Sequence, residues 1–433
     1  MEQQYSLTKE QKEAVGLLSI GTFLEYFDLM LYVHMAFLLN DLFFPKTDPQ
    51  ATSLLTAFAF CSTYLLRPFG ALIFGWIGDT MGRRATVIIT TSLMAFSCII
   101  MANLPTYDQI GISAACFVTI CRIVQGMSSM GEIIGAELYL TEFTKPPMRY
   151  PIVALIGVCG TLGMTASLGL ASIATSSGFN WRLAFWFGMV VALIGTVARS
   201  CLRETPEFID ARSRMKKNFE FNEENLDILK NNPIWKEKAK KKTILSYFLI
   251  ECMWPVWFYL GYIHCGGILK NQFHFSSEQV IHQNFIVGMV DLLGAITLTY
   301  LTIKIHPLKI LKVKLMVFSI FILTFPFILK NITTSFQLLL FQLFIAIFAP
   351  TGFPAVSVFF KHFPVLQRFR YASFIYALSR ALMYAITSFG LVYLIDYFGS
   401  IGLLIIIIPV SLGYAFGINH FSKLEVKTEN LSL

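Results

Sequence analysis

Two carboxylic acids in the first long apolar segment of the chain are well suited to proton chemistry. Gly21, Glu25, Asp28 and Tyr32 recur at helical spacing, which places all four on one narrow face of a helix. A charge at the centre of a bilayer costs about 2.5–3.5 kcal/mol on insertion scales, so each such group needs a partner or a function. Because neighbouring carboxylates repel each other and desolvation disfavours their charge, we predict that Glu25 or Asp28 exchanges a coupling proton.

A second polar stripe follows one face of a later apolar segment and consists of Arg122, Gln125, Ser129, Glu132 and Ala136. Arg122 is always charged, and its planar guanidinium can pair with Asp28 or Glu25, or bind the carboxylate of a solute through two hydrogen bonds. A permanent ion pair that only fixes helix packing is the alternative. We predict that a solute cavity is bordered by Tyr32, Arg67, Arg122, Gln125 and Glu132.

The second half of the chain has its own buried acid, Glu251, in a segment rich in aromatic residues. Trp254 and Trp257 follow within two turns, and Pro255 between them can interrupt the helix and expose backbone of the kind that lines a cavity. A carboxylate in an aromatic cage suits a quaternary ammonium group, through cation–π contact. Ordinary aromatic packing is the alternative.

Further polar residues of the apolar segments are secondary candidates for the cavity, namely Tyr259, Asp291, Tyr376, Arg380 and Tyr384. Arg380 together with Arg122 would favour an anionic solute, so the charge of the solute stays open. Glu137 lies nearer to an end of its segment than Glu132 does, and we expect it to pair with basic loops outside the membrane.

The elements that must position these residues are transmembrane helices. Hydrophobic residues make up 55% of the chain and charged residues only 14%, so a soluble multidomain protein is excluded. Runs of about twenty apolar residues recur, each long enough to cross a hydrocarbon core, and they lack the alternation of barrel strands. We predict twelve helical spans, at 13–37, 52–78, 85–103, 110–140, 151–176, 183–201, 244–266, 280–303, 311–330, 334–359, 371–395 and 399–418.

The distribution of positive charge predicts the orientation of these spans. The formal net charge is +8, but most of the 34 Lys and Arg lie in the termini and the even-numbered loops. Lys312 and Lys314, at the start of the ninth span, are counted with the loop that precedes it. This asymmetry places both termini in the cytoplasm, and it explains the basicity without a nucleic-acid partner.

The chain divides into two membrane halves. A polar stretch separates six spans from six, which predicts an N-terminal six-helix bundle at 1–202, a cytoplasmic linker at 203–243, a C-terminal six-helix bundle at 244–421 and a short cytoplasmic tail at 422–433. Two such halves around a central solute site form a recurrent transporter plan. We find no P-loop, no HExxH, no catalytic triad and no Cys/His metal spacing, so we predict neither an enzyme nor a cofactor or metal site.

The loop between the second and third spans contains Gly75, Asp79, Gly82, Arg83 and Arg84 in the pattern GxxxDxxGRR. The glycines permit close helix approach and a turn, and the two arginines hold the cytoplasmic side. This pattern resembles the signature loop of the major facilitator superfamily. The resemblance implies a fold of two pseudo-symmetric six-helix bundles, a gating role for this loop, and a central cavity lined by spans one, four, seven and ten.

Further segments are similar to the metabolite:proton symporter branch of that superfamily, which includes proline/betaine transporters and carriers of 2-oxoglutarate, citrate and shikimate. They are residues 21–28, 66–70, 122–126, 180–182 and 203–208. The second half carries less of the pattern, since the expected second signature loop is reduced to residues 304–309.

Together these features predict a proton symporter of the bacterial inner membrane that imports a small zwitterionic osmolyte, such as proline or glycine betaine, by alternating access. Its partners would be the lipid bilayer, the solute and protons, and we expect a monomer. A proton-coupled carrier of a small carboxylate is the alternative transporter. A membrane sensor built on the same scaffold, without transport, is the alternative from another class.

Overall fold

The computed structural model describes residues 4–45, 58, 61, 63–81, 83–129, 133–175, 180–200, 239–364 and 367–430. These residues are almost entirely helical, and no β-strand occurs among them. Most of the predicted linker, and the end of the tail, lie outside the described residues.

The N-terminal half contains eight described helices. They are α1 (Lys9–Phe43), α2 (Arg67–Thr80), α3 (Arg83–Asn103), the short α4 (Tyr107–Ile110), α5 (Ile112–Ser128), α6 (Ile133–Phe143), α7 (Arg149–Thr175) and α8 (Arg182–Ser200). The predicted fourth span therefore corresponds to α5 and α6 together.

The described part of the C-terminal half begins with a segmented helix. It comprises α9 (Lys241–Glu251), α10 (Met253–Phe258), a π-helical turn (Tyr259–His264) and α11 (Cys265–Asn271). Pro255 interrupts the regular helix, because it has no N–H for the carbonyl of Glu251 four residues earlier, and α9 ends at Glu251. The irregular backbone that we predicted there takes the form of the turn at Cys252 and the π-helical turn.

The remaining helices of this half are α12 (Ser277–Leu301), α13 (Pro307–Lys330), α14 (Ser335–Phe348), α15 (Val356–Phe360), α16 (Arg368–Phe398) and, after a short 3-10 turn, α17 (Gly402–Asn430). Capping boxes fix where α12 and α14 begin, since Ser276 and Thr334 each accept from the backbone three residues on. The tenth span is interrupted by non-helical backbone between α14 and α15.

Eight helical stretches within the described residues are long and apolar enough to cross a membrane, and three shorter apolar helices accompany them. Their outward faces expose large apolar side chains, such as Ile320, Leu323 and Phe327 on α13. This exposure is what a lipid solvent permits. The predicted all-α membrane fold of about twelve spans in two six-helix bundles is confirmed.

The two halves meet along two pairs of helices, α7 with α12 and α2 with α16. Glycines allow the closest approaches within and between the halves. A Cβ at Gly163 of α7 would overlap the backbone carbonyl of Phe23 in α1, and a Cβ at Gly288 of α12 would press on Leu168 of α7.

The halves also touch at both ends of the molecule. At the end where α1 begins and α17 ends, Arg368 donates to Glu142 at 2.9 Å, and the ring of His306 lies 5.3 Å from that of Tyr150. At the opposite end, the rings of His34 and Tyr262 lie 6.1 Å apart. Contacts between the halves thus lie on both sides of the space between them, towards each end of the molecule.

Candidate functional site

Two adjoining cavities lie in the middle of the molecule. The central cavity, between the halves, has a volume of about 120 Å³ and is bordered by Tyr26, Glu137, Glu251, Tyr376 and Arg380. The side chamber, lined mostly by the C-terminal half, has a volume of about 110 Å³ and is bordered by Trp257, Tyr262, Asp291, Lys314 and Gln342. Both are also lined by Trp254, Asp291 and Thr351, so the two spaces adjoin there.

An ion pair between two spans dominates the central cavity. The guanidinium Nη1 of Arg380 lies 3.1 Å from Oε2 of Glu251, and the same nitrogen donates to the backbone carbonyl of Glu251 at 2.7 Å. Both side chains are almost completely buried. Gly352 leaves room for the acid, since a Cβ there would lie 2.7 Å from Oε1 of Glu251.

Aromatic rings surround this ion pair. The guanidinium carbon of Arg380 lies 4.1 Å from the ring centre of Tyr376 and 4.9 Å from that of Trp254. The hydroxyl groups of Tyr376 and Tyr26 lie 3.4 Å apart and join α16 to α1. The two ring faces thus hold the guanidinium by cation–π contact.

Glu137 does not lie where we expected it from the sequence. We expected it to pair with basic loops, but it is buried on α6 and faces the central cavity. Its carboxyl repels that of Glu251 and is attracted by Arg380. Among the described residues it makes no direct ion pair. The signal that could have found it is an acid within the apolar run GAELYL, without a basic neighbour in sequence.

Lys314 is a second residue whose position differs from the expectation. It was counted with a loop, but it lies two turns into α13 and is 8% exposed. Its ammonium group attracts the carboxyl of Asp291 across the side chamber. The predicted cavity position of Asp291 agrees with the structure, since this residue borders both cavities.

The predicted aromatic cage around Glu251 is divided between the cavities. Trp254 contacts Arg380 and borders both spaces, whereas Trp257 borders the side chamber and packs edge-on against Phe318 at 4.4 Å. Neither of the two cavities described here is bordered by both Glu251 and Trp257.

In the N-terminal half, Arg122 is fully buried but lies in a different environment. Its Nη1 donates to Oε1 of Gln125 at 2.7 Å and to the backbone carbonyl of Leu29 at 3.4 Å. The guanidinium carbon lies 4.3 Å from the ring centre of Tyr32. Among the described residues, the predicted ion pair of Arg122 with Asp28 or Glu25 does not occur.

Asp28 faces the inside of its own half. A Cβ at Gly188 of α8 would lie 2.8 Å from its Oδ1, and its charge acts on Cys98 of α3. Gln125 donates to the sulfur of Cys98 at 3.7 Å, so a polar network runs from Arg122 towards Asp28. Glu25 is also buried, one turn earlier on α1. None of these residues borders either of the two cavities described above.

Arg67 connects to the second half through aromatic rings. It is buried at the start of α2, with its guanidinium carbon 4.3 Å from the ring centre of Tyr64. The ring of Tyr64 lies 4.1 Å from that of Tyr384 on α16. This contact lies where α2 and α16 join the halves.

The signature loop is described only in part. Gly75 lies within α2, where an added Cβ would meet open space, and two residues separate the end of α2 at Thr80 from the start of α3 at Arg83. Gly82 and Glu132 lie outside the described residues, as do the side chains of Asp79, Arg83 and Arg84. In the part of the chain that the structure describes, no group of three or more His, Cys, Asp or Glu is placed to hold a metal ion.

Comparison with known sequences yields a family and several relatives. The family described as Major Facilitator Superfamily matches residues 18–388. The proline/betaine transporter of Escherichia coli (strain K12) is 27% identical over 292 residues, which cover 64% of this chain and 57% of that protein. The putative proline/betaine transporter of Staphylococcus aureus (strain COL) is 32% identical over 208 residues, 46% of this chain and 45% of that protein. The matches thus span about half the length of these relatives.

Comparison with solved structures yields the same architecture. The proton:xylose symporter XylE bound to 6-bromo-6-deoxy-D-glucose aligns with a TM-score of 0.72 at 17% identity, covering 94% of each chain. The human organic anion transporter MFSD10 (TETRAN) aligns with a TM-score of 0.67 at 16% identity, covering 96% of this chain and 100% of that one. At such identities the likeness concerns the fold.

Proposed function

The chain belongs to the major facilitator superfamily, and we propose that this membrane transporter is a proton symporter that imports a small zwitterionic osmolyte, such as proline or glycine betaine. The transport would proceed by alternating access, through rocking of the two halves about the cavities between them. We further propose that it is a monomer in the bacterial inner membrane, with both termini in the cytoplasm.

The observation that carries this proposal is the buried pair of Glu251 and Arg380 between Tyr376 and Trp254. A zwitterion offers one carboxylate and one cationic group, and the pair offers a complement for each. Arg380 would bind the carboxylate, while Glu251 and the aromatic faces would hold the cation. Binding would thus replace the Glu251–Arg380 ion pair by one pair between each of these residues and the solute, so that no buried charge is left unpaired.

The excess of acidic over basic side chains around the cavities favours the binding of a cationic solute group or a proton. Among the described residues, the ionisable side chains that border them, tyrosines apart, are Glu137, Glu251, Asp291, Lys314 and Arg380. A buried charge without a partner is costly. Three carboxyls facing two basic groups therefore favour the uptake of a proton or of a cationic solute group.

The site of proton coupling at Glu25 or Asp28 stays a prediction. Support for it comes from their burial on α1 and from the network that joins Asp28, Cys98, Gln125 and Arg122. We expect Asp28→Asn to lose proton-driven accumulation while it keeps solute counterflow, because exchange of solute needs no net proton movement. Accumulation at the wild-type level would show that Asp28 is not the coupling group.

The names of the relatives agree with a zwitterionic solute, because two of them are called proline/betaine transporters. XylE is called a proton symporter, which supports proton coupling in this fold. A small carboxylate remains the second candidate solute, since Arg380 and Lys314 are both buried cations that can bind an anion.

Uptake into proteoliposomes with an imposed pH gradient tests these proposals. We expect accumulation of radiolabelled glycine betaine or proline, driven by an acidic exterior and abolished by a protonophore. Accumulation of 2-oxoglutarate without either zwitterion would establish the carboxylate carrier instead. If none of these solutes accumulates although the protein is folded and inserted, the osmolyte symporter is excluded.

A further inference from the structure

The side chamber has the features of a binding site in its own right. It lies between α10 and its π-helical turn, α12, α13 and α14, so the C-terminal half supplies most of its lining, and Thr161 of α7 also borders it. Its volume of about 110 Å³ exceeds the ~10–15 Å³ that one buried water needs in the same measure several times over. A small solute fits a space of this size.

The two charged residues of the chamber are turned inwards from opposite helices. On α13, Lys314 is buried, while its neighbours Val313 and Met316 are more than half exposed on the outward face. On α12, Asp291 is half-buried and borders the chamber, whereas Leu293 on the same helix is exposed. Charges in a membrane span are costly, so this common orientation calls for a partner inside the chamber.

These charges do not satisfy each other directly. Lys314 and Asp291 attract each other, but they form no ion pair or hydrogen bond among the described residues. A gap therefore separates an ammonium group from a carboxylate within one small space. A ligand that carries both an anionic and a cationic group can close that gap on both sides.

Two further donors in the chamber have no hydrogen-bond partner among the described residues, namely Nε1 of Trp257 and the hydroxyl of Tyr262. Both side chains are more than nine-tenths buried. Gln342, by contrast, is committed, since its amide donates to the backbone carbonyl of Gly261 at 2.6 Å and to Asn284 at 3.2 Å. Buried donors in native proteins are almost always paired, so these two donors indicate that a bound ligand supplies their acceptor.

We propose that the side chamber is a second solute subsite, which binds the carboxylate of a small zwitterion through Lys314, Trp257 and Tyr262 and its cationic group through Asp291. This inference rests on the proposed function. The subsite adjoins the central cavity at Trp254 and Asp291, so a solute can pass between Arg380 and Lys314 while its carboxylate stays paired.

Binding stoichiometry tests the subsite. The full chain in lipid nanodiscs is equilibrated with radiolabelled glycine betaine and, separately, with proline. We expect about two molecules per chain for the wild type at saturation, and one for Lys314→Met. Lys312→Met is the matched control, because Lys312 is exposed on the same helix, and it should bind two.

Conservative variants separate a binding role from a packing role. Tyr262→Phe and Trp257→Phe each remove one of the two free donors, and each should weaken only one of the two binding events, by about tenfold, as expected for a hydrogen bond to a charged group. Tyr300→Phe, on the lipid-facing side of α12, should change neither event. A monodisperse elution profile establishes that each variant is folded.

The outcomes distinguish the two proposals. One molecule per wild-type chain, with unchanged affinity in Lys314→Met and Tyr262→Phe, would disprove the subsite and leave the proposed function standing. Two molecules that persist in Lys314→Met would also disprove it. If the folded wild type binds neither probe, the proposed function fails, and the subsite fails with it.

Discussion

The two halves of the molecule treat the same pair of residue types in different ways. Each half buries an arginine, and each has a glycine that faces a buried carboxyl, Gly188 at Asp28 and Gly352 at Glu251. In the C-terminal half the arginine pairs with the acid at 3.1 Å and borders a cavity. In the N-terminal half the arginine donates to an amide and a backbone carbonyl instead.

The motifs that identify the family and most of the charged residues that border the cavities lie in different halves. The motifs that resemble the superfamily cluster in the first half, yet Glu251, Arg380, Asp291 and Lys314 all belong to the second. The first half contributes Tyr26 and Glu137 to the central cavity. We infer that the N-terminal network chiefly sets helix positions and proton coupling, while the C-terminal half selects the solute.

The largest effect should come from the arginine of the C-terminal half. Arg380→Gln leaves Glu251 buried without its partner, and breaking such a pair costs about 3–5 kcal/mol. We expect it to abolish solute binding and to lower the thermal stability of the purified protein. Radiolabelled solute binding and thermal unfolding in detergent measure the two effects.

Two further variants control this prediction. The double variant Glu251→Gln/Arg380→Gln removes both charges, so it should recover stability without recovering binding. Arg122→Gln leaves behind neutral groups among the described residues, the acceptors of Gln125 and Leu29 and the ring of Tyr32, which costs about 1–3 kcal/mol. If Arg122→Gln impairs solute affinity as severely as Arg380→Gln does, the proposed division between the halves is wrong.

The two glycines that face carboxyls permit a matched pair of substitutions with an intermediate effect. A Cβ would lie 2.7 Å from Glu251 in Gly352→Ala and 2.8 Å from Asp28 in Gly188→Ala, so each displaces an acid. We expect Gly352→Ala to weaken solute binding by about tenfold, through loss of the Arg380 contact. Gly188→Ala should cost about 1–3 kcal/mol of stability through overpacking, with little change in solute affinity.

Gly267→Ala is the control for both, because an added Cβ meets open space at that position. It should leave solute binding and stability near the wild-type values. Equal losses of affinity in the two test variants would contradict the comparison. They would mean that Asp28 and Glu251 serve one site.

Much of this architecture could be predicted from the sequence, because a bilayer constrains the chain strongly. Apolar runs of span length gave the helices, and the GxxxDxxGRR pattern gave the family. The high cost of a charge within a span was enough to single out Glu251 and Arg380, which the structure brings together at 3.1 Å. That argument needs no knowledge of neighbours.

The differences between the predicted and observed positions of these side chains have one physical origin. A linear sequence fixes neither the depth of a helix in the membrane nor its rotation about its axis. Glu137 and Lys314 were assigned to the ends of spans, and a shift of one or two turns moves each into a cavity. Asp28 shares a helical face with Tyr32, but only Tyr32 is seen in contact with Arg122, whereas Asp28 lies against Gly188. Rotation of this kind is decided by packing against other helices, at glycines whose partners the sequence does not reveal.

The smallest expected effect concerns the hydroxyl pair of Tyr26 and Tyr376, which links the halves across the central cavity. At 3.4 Å the contact is longer than a strong O–H···O bond, so its removal should cost no more than about 0.5–1.5 kcal/mol. We expect Tyr26→Phe and Tyr376→Phe each to change the KM for solute by less than about tenfold.

A double-mutant cycle on initial uptake rates measures whether the two hydroxyls act together. If they do, Tyr26→Phe/Tyr376→Phe should be no worse than the more impaired single variant, because either change already breaks the contact. Strictly additive losses would show that each hydroxyl works separately. In that case the N-terminal half would contribute to solute binding through Tyr26 on its own, and the contrast between the halves would narrow.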